Sequence, residues 1–411
     1  MRIFNSLISL VLLLGTAVNA GTVETVDGVV HVTNTGEPDK GTEVIELEEQ
    51  WRVGGDDGDM LFGLVTQVMS DDDGNIYILD TQLSEVQVLS PEGEYLQTLS
   101  RQGEGPGETQ YPVDMFIMSD GTVGLVQTFP GKIIKVDREG NPAGSMTIGG
   151  GDPTQGGFVR LVDAKESAGN LVLSGERIVV NQQEGKRIGT NFLASFNEDG
   201  TEKVRYLEKE NILEFANIEI NEVNQYFVHF RHWALDAKGN VFTAPHRDRY
   251  AIEVFTPDGA LTRVIEREFT HWTRDEKDKA RINSVMDAAR RQSPIEIKAE
   301  FSDTEPDITR MRIDSDDNLW VQHSRSGREL DEGILFSYDV FDPDGHYMKK
   351  VDIRCPGDPL NDGLIFAGDN RIIKVTGMVD AFIALQGGGA VEGEDEEEAE
   401  PMEVICYSIK G

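Results

Sequence analysis

The chain has 411 residues, 43 of them glycine, and carries a formal net charge of −36. An acidic surface of this size repels a phosphate backbone, which excludes nucleic acid as a partner. Two cysteines, Cys355 and Cys406, are too few for a disulfide scaffold; one bridge formed after export and two separate buried thiols both remain open.

Met1 to Ala20 (MRIFNSLISLVLLLGTAVNA) reads as a secretory signal peptide, with one Arg, an apolar centre and small residues at Val18 and Ala20. No Cys follows the apolar stretch, so no lipid attachment is expected. No other run approaches the roughly 18 apolar residues of a membrane span. The expected product is an exported, soluble monomer, periplasmic or extracellular. Residues 21–41 read as a linker.

From residue 42 onwards the chain repeats itself. A shift of 47 lays Phe62–Gly93 on Thr109–Gly140 without a gap. Val68-Met69-Ser70 falls on Met115-Phe116-Ile117, Asp73-Gly74 on Asp120-Gly121, and Glu92-Gly93 on Glu139-Gly140. Each unit reads as four strands joined by two tight glycine-bearing turns and one short loop. The first turn recurs at Gly169, Gly239, Asn318 and Asn370, the second at Gly200, Gly259 and Gly345. The sixth unit lacks its last strand, and Thr42–Gly54 has the character of a fourth strand with nothing before it. The pattern predicts an all-β, six-bladed β-propeller over residues 42–411, its last blade closed by the N-terminal strand.

Arg101–Pro112 (RQGEGPGETQYP) sits between the first two units. Its glycines suggest a phosphate cradle, but the Lys-Ser/Thr pair of a P-loop is missing and acidic residues follow. It reads instead as the link that carries the chain from the outer strand of one blade to the inner strand of the next. Tyr77–Glu108, Leu319–Gly327 and Tyr338–Tyr347 resemble the repeat of NHL-type six-bladed propellers, in particular the exported bacterial group with G-x-G-P-G-E links. Ser84-Glu85 stands where many such repeats carry Asn-Arg. The resemblance implies the fold; most relatives of this exported type have no assigned reaction.

A propeller sorts its loops between two faces. The first-to-second and third-to-fourth turns share one face and are short here. The second-to-third loops and the blade-to-blade links share the other, called the link face below. The long insertions fall there, at roughly Arg177–Thr190, Glu208–Phe227, Glu268–Asp307, His323–Leu335 and Val379–Pro401. Function is expected on that face. Thr273–Arg291 predicts a helix, an insertion at about 272–292 between blades four and five, with Thr273 and Glu276 as a capping box. Gly387–Glu400 holds seven acidic residues in nine and predicts a mobile acidic loop, at about 386–401.

The candidate site gathers at blades four and five. Five of the seven histidines fall there: His229, His232, His246, His271 and His323. Arg231, Arg247, Arg249, Arg325 and Arg328 accompany them, with Tyr250 and Trp272 nearby. The pattern suggests a basic pocket for a small anionic ligand, with pairing to acids such as Asp248, Glu329 and Asp331 as the plainer alternative. An extracytoplasmic protein or glycan is the other candidate partner. No cofactor is called for beyond weak attraction of a divalent cation such as calcium. His229-x-x-His232 is poorly spaced for two metal ligands on a strand. The leading expectation is a non-catalytic binding propeller; a metal-dependent hydrolase or lyase with a site on the axis is the alternative.

Overall fold

The computed structural model describes residues 21–410 except 57, 59, 150–156, 230, 294, 369 and 387–400. The expected signal peptide and the acidic run therefore lie outside the described residues. What is described is almost entirely antiparallel sheet, and the protein is a six-bladed β-propeller.

Blade one holds Val65–Ser70, Ile76–Asp80, Glu85–Leu89 and Tyr95–Leu99, paired in sequence order. Blade two repeats the order with Pro112–Ile117, Val123–Gln127, Lys132–Val136 and Pro142–Thr147. Blade three uses longer strands: Phe158–Ser167, Asn170–Asn181, Lys186–Phe196 and Glu202–Glu214. Trp233–Leu235, Val241–Thr243, Ala251–Phe255 and Leu261–Arg267 form blade four, and Ile308–Ile313, Leu319–His323, Ile334–Phe341 and Tyr347–Arg354 form blade five. Blade six holds Gly363–Phe366, Arg371–Val375 and Glu403–Ile409. Thr42–Gly54 pairs antiparallel with Glu403–Ile409, and its first residues run parallel to Tyr347–Arg354.

The third-to-fourth turns share one backbone solution. Gly93, Gly140, Gly200, Gly259 and Gly345 all have φ between 80° and 92°, where a side chain is strained. At Gly93 an added Cβ would also meet the Trp51 ring at 2.6 Å. Between blades, faces such as Ile78, Val65 and Ile373 interlock, and Tyr77, Leu79 and Leu125 do the same one step on. Cys355 and Cys406 are buried free thiols in separate clusters. Among the described residues, no helix is long and apolar enough to cross a membrane.

Several local expectations change. Residues 21–41 are more than a linker: Thr22–Val26 and Val29–Asn34 form a hairpin laid parallel on the outer strand of blade four. Asn34 ties it down, donating to the Gly345 carbonyl at 2.9 Å and accepting from the Tyr347 amide at 2.8 Å. Arg177–Thr190 is not a loop; it continues two paired strands out to Asn181 and Lys186.

Among the described residues the insertions carry the helices α1 (Glu222–Gln225), α2 (Glu276–Gln292) and α3 (Met378–Leu385). The N-cap of α2 is Asp275, not Thr273, and the reciprocal bond of its capping box comes from Asp278. Residues 272–274 are held extended, because Arg274 donates its amide to Asp303 and Glu305 donates to Trp272.

The Arg101–Pro112 link contains its own anion. The Glu108 carboxylate accepts from the Gly105 amide at 2.8 Å and from Arg101 Nε at 2.7 Å. A Cβ at Gly103 would lie 2.0 Å from Glu108 Oε2. The glycines make room for that carboxylate, and nothing remains to cradle a phosphate.

Candidate functional site on the propeller axis

The innermost strands begin at the link face, because each link feeds directly into one. Four of the six carry a β-bulge near that end, between Val65 and Gln67, Pro112 and Asp114, Leu161 and Asp163, and Ile308 and Arg310. A bulge inserts one residue and re-aims the next side chain. The residue after each bulge is Gln67, Asp114, Asp163 or Arg310. Polar groups thus occupy positions where an innermost strand is otherwise apolar.

These side chains join across the axis. Gln67 donates to Asp114 Oδ1 at 2.9 Å, and the Ala164 amide donates to Asp114 Oδ2 at 3.1 Å. Asp163 Oδ2 accepts from Trp233 Nε1 at 2.9 Å and from the Arg231 amide at 3.2 Å. Arg231 has φ 77°, rare for a side chain of its size. Its guanidinium donates to the Thr66 carbonyl and, at 3.2 Å, to Gln67 Oε1. Blade four thus reaches blade one. Lys165 Nζ lies 3.8 Å from Asp163 Oδ2 and 3.8 Å above the Trp233 ring. Arg310 donates to the Leu364 carbonyl at 2.9 Å, bringing in blades five and six.

The electrostatics are those of a dry interior with surplus positive charge. Burial pushes the Asp114 carboxyl up, and pushes the Lys165 ammonium and Arg231 guanidinium down. Arg310 falls to about 9, first through burial and then through the charge of Arg231. Yet 29% of the Lys165 side chain remains accessible. Asp163 Oδ1 is buried without a hydrogen-bond partner.

The residues proposed from sequence divide into separate groups. His229 lies between Ser174 Oγ at 2.8 Å and Asn191 Oδ1 at 2.9 Å, and burial drives its pKa to about 4. His232 contacts the His229 carbonyl through Nδ1, and burial pushes its pKa down as well. Of the proposed set, Arg231 is the one whose side chain reaches across to blade one.

Further out, carboxylates meet most of the rest. Arg247 is buried and pairs with Glu222 at 2.9 Å and Asp248 at 2.5 Å. Arg249 pairs with Glu266, Arg325 with Glu329, and His246 with Glu253 at 3.3 Å. Tyr250 donates to Asp339 Oδ2 at 2.7 Å, and His323 Nε2 lies 3.7 Å from the same oxygen. Trp272 donates to Asp278 at 3.0 Å beneath the Arg325 and Arg328 guanidinium groups. His271 pairs with buried Asp307 at 2.6 Å and is itself 47% exposed.

Two of these pairings build a cap. Ile218–Asn221 and Ile297–Glu300 form a parallel two-stranded sheet that joins the insertions at 215–232 and 268–307. Glu222, at the start of α1, is clamped by Arg247 and Arg274. On α2, Arg281 donates to the Leu360 carbonyl at 2.8 Å and Asp278 pairs with Arg328 at 2.6 Å. The helix thereby rests on the link between blades five and six and on a second-to-third loop, both on the link face.

Sequence reasoning missed Gln67, Asp114, Asp163, Lys165 and Arg310. A signal was present: the shift of 47 places Gln67 on Asp114, a polar residue at the same point of two apolar strands. Surface clefts lie elsewhere, one around Arg52, Met60, Tyr95 and Glu403, another around Gly105, Gln127 and Lys132.

Residues 57–147 match the model of a family described as a 6-bladed beta-propeller, DUF5128. Among solved structures, a candidate exported protein of Bacteroides fragilis is 11% identical, with a TM-score of 0.49 over 93% of this chain and 100% of that one. Virginiamycin B lyase of Staphylococcus aureus is 12% identical, with a TM-score of 0.38 over 80% of this chain and 85% of the lyase. The calcium-binding protein regucalcin of Agrobacterium tumefaciens is 10% identical, with a TM-score of 0.43 over 90% and 96%. Identities this low speak to fold alone. A comparison with curated proteins finds no match.

Proposed function

We propose that this six-bladed β-propeller is an exported, non-catalytic binding protein whose link face receives its ligand, either a small anionic molecule or an extracytoplasmic protein or glycan. In this reading residues 1–20 direct export to the periplasm or the exterior. Thr42–Gly54 closes the wheel as the fourth strand of blade six, and α2 belongs to an insertion between blades four and five. The pocket at blades four and five lies at the edge of the cap, where His271 is exposed and the Arg325 and Arg328 guanidinium groups cover the Trp272 ring.

The observation that carries the reading is where exposed apolar side chains gather. Leu61, Leu83, Tyr111 and Phe129 are exposed in links or second-to-third loops, Phe158 at the link-face start of the innermost strand of blade three, and Phe382 on α3. Phe129 and Phe158 are 56% and 40% exposed and meet edge to face at 5.0 Å. Exposed apolar side chains on the same face as the cap are the mark of a binding surface.

The metal-dependent hydrolase or lyase needs three or more carboxylate or imidazole donors converging on the axis. Among the described residues no group of three His, Cys, Asp or Glu is so placed. No observation favours that reading.

The test is a binding screen of glycans and acidic peptides against three proteins: the wild type, Phe129→Ser/Phe158→Ser, and Tyr95→Ser/Leu96→Ser on the outer strand of blade one. Any ligand found should bind about tenfold or more weakly to the first pair, as expected for lost aromatic anchors, and normally to the second. Equal affinity for all three would refute the link face as the binding surface. Chemical conversion of the bound ligand would refute the non-catalytic reading.

A further inference from the structure

The axial cluster poses a problem that the link-face reading does not answer. Three cations, Lys165, Arg231 and Arg310, stand around two carboxylates, Asp114 and Asp163. Asp114 is already engaged by Gln67 and the Ala164 amide, and burial favours its neutral form. Asp163 is shared among Trp233, the Arg231 amide and Lys165. Among the described residues, Arg231 has only these two shared carboxylates acting on it, neither within ion-pair distance of its guanidinium, and Arg310 has none. Among the described residues, the Arg310 guanidinium donates to the Leu364 carbonyl and to no carboxylate.

An interior guanidinium without a counter-ion is costly, and proteins pair such groups or neutralise them. Guanidinium cannot readily neutralise itself. Elsewhere this chain pairs its buried arginines: Arg267 has Asp339 at 3.1 Å, Arg247 has Glu222 and Asp248, and Arg274 has Glu222 and Glu305. The axis departs from that habit in a chain with 74 acidic residues to draw on. The missing negative charge is therefore expected to come from outside. Lys165, partly accessible beside the two arginines, marks the way in.

We propose that the link-face end of the axial channel is a binding site for a small oxyanion, an organic carboxylate or inorganic phosphate, held by the Lys165 ammonium and the Arg231 and Arg310 guanidinium groups. Bulges aim the polar residues from four blades into one space, and Trp233, fully buried, forms a wall beneath Lys165. Two arginine forks and an ammonium suit the planar oxygens of a carboxylate or the oxygens of phosphate. The fixed carboxylate of Asp163 disfavours large polyanions. This site does not depend on the apolar link-face surface, and the two proposals fail separately.

The experiment is a thermal melt of the mature chain in chloride buffer, repeated with sodium acetate, sodium malonate and sodium phosphate at fixed ionic strength, followed by calorimetric titration. A saturable rise in melting temperature with one-to-one stoichiometry is expected from at least one probe. The probe that saturates at the lowest concentration separates the carboxylate source from the phosphate source. Arg310→Met should weaken binding by about tenfold to a hundredfold, the worth of a charge-assisted hydrogen bond. In chloride alone the same variant should melt no lower than the wild type, because no carboxylate loses its partner. Tyr95→Ser/Leu96→Ser, exposed on the outer strand of blade one, should respond like the wild type. If Arg310→Met does not fold, Lys165→Met is read the same way. No saturable rise with any of the three probes would overturn the proposal. So would a response that both axial variants retain.

Discussion

Asp339 shows what a buried charge requires in this fold. Tyr250 and Tyr347 donate to its two oxygens at 2.7 and 2.6 Å, and Arg267 stands 3.1 Å away. Burial by itself would raise its pKa, but His323, Arg267 and Tyr347 hold the carboxyl well below the usual carboxylate range. A lowered folded pKa means stability that is complete above about pH 4, the unfolded value, and is lost as pH falls from there toward the folded one. Asp339→Asn should cost about 3–5 kcal/mol at pH 7, because it leaves Arg267 buried and unpaired. Urea unfolding at pH 7 and pH 3 checks both points: the deficit of the variant should shrink at the lower pH. Arg310 is the contrasting case, and the two arginines together separate a structural ion pair from a site awaiting its anion.

At the level of elements, the repeat is an alternation between regular blades and irregular insertions. Turn chemistry recurs with little change. Asp71, Asp236 and Asp314 each accept two backbone amides and an Asn side chain four residues on. These turns are local and were legible in the sequence. Helix α2 was legible as a helix, but its start was not, because the chain before it is held extended by an isolated bridge between Thr273 and Thr304. Its first turn depends on the Asp275–Asp278 box. Asp275→Ala should cost about 1 kcal/mol of helix stability. Hydrogen exchange should then quicken across Glu276–Gln292 and stay unchanged in the blades.

For the whole molecule, the critical element is Thr42–Gly54, which pairs with strands on both sides. An open wheel would leave the strand edge at Glu403–Ile409 unpaired and prone to association. A chain beginning at residue 37 loses only the outer hairpin and should remain a folded monomer. A chain beginning at residue 55 should aggregate or fail to melt cooperatively. Light scattering and calorimetry of the two truncations check this, and a cooperative monomer from the shorter chain would show that the pairing is dispensable.

The number of blades and the turn positions were set by the sequence alone. They depend on residues near each other in the chain, where alternation and glycine spacing act directly. The pairing of Arg247, Arg249 and Arg325 with acids was visible in part, since Asp248 and Glu329 are close neighbours. The grouping of Gln67, Asp114, Asp163, Arg231 and Arg310 was decided only by the tertiary structure. These residues come from five blades, up to 243 positions apart by their own numbers (310 − 67). Only closing the sheets around one axis, with bulges turning each side chain inward, converts a scatter of charges into a single space.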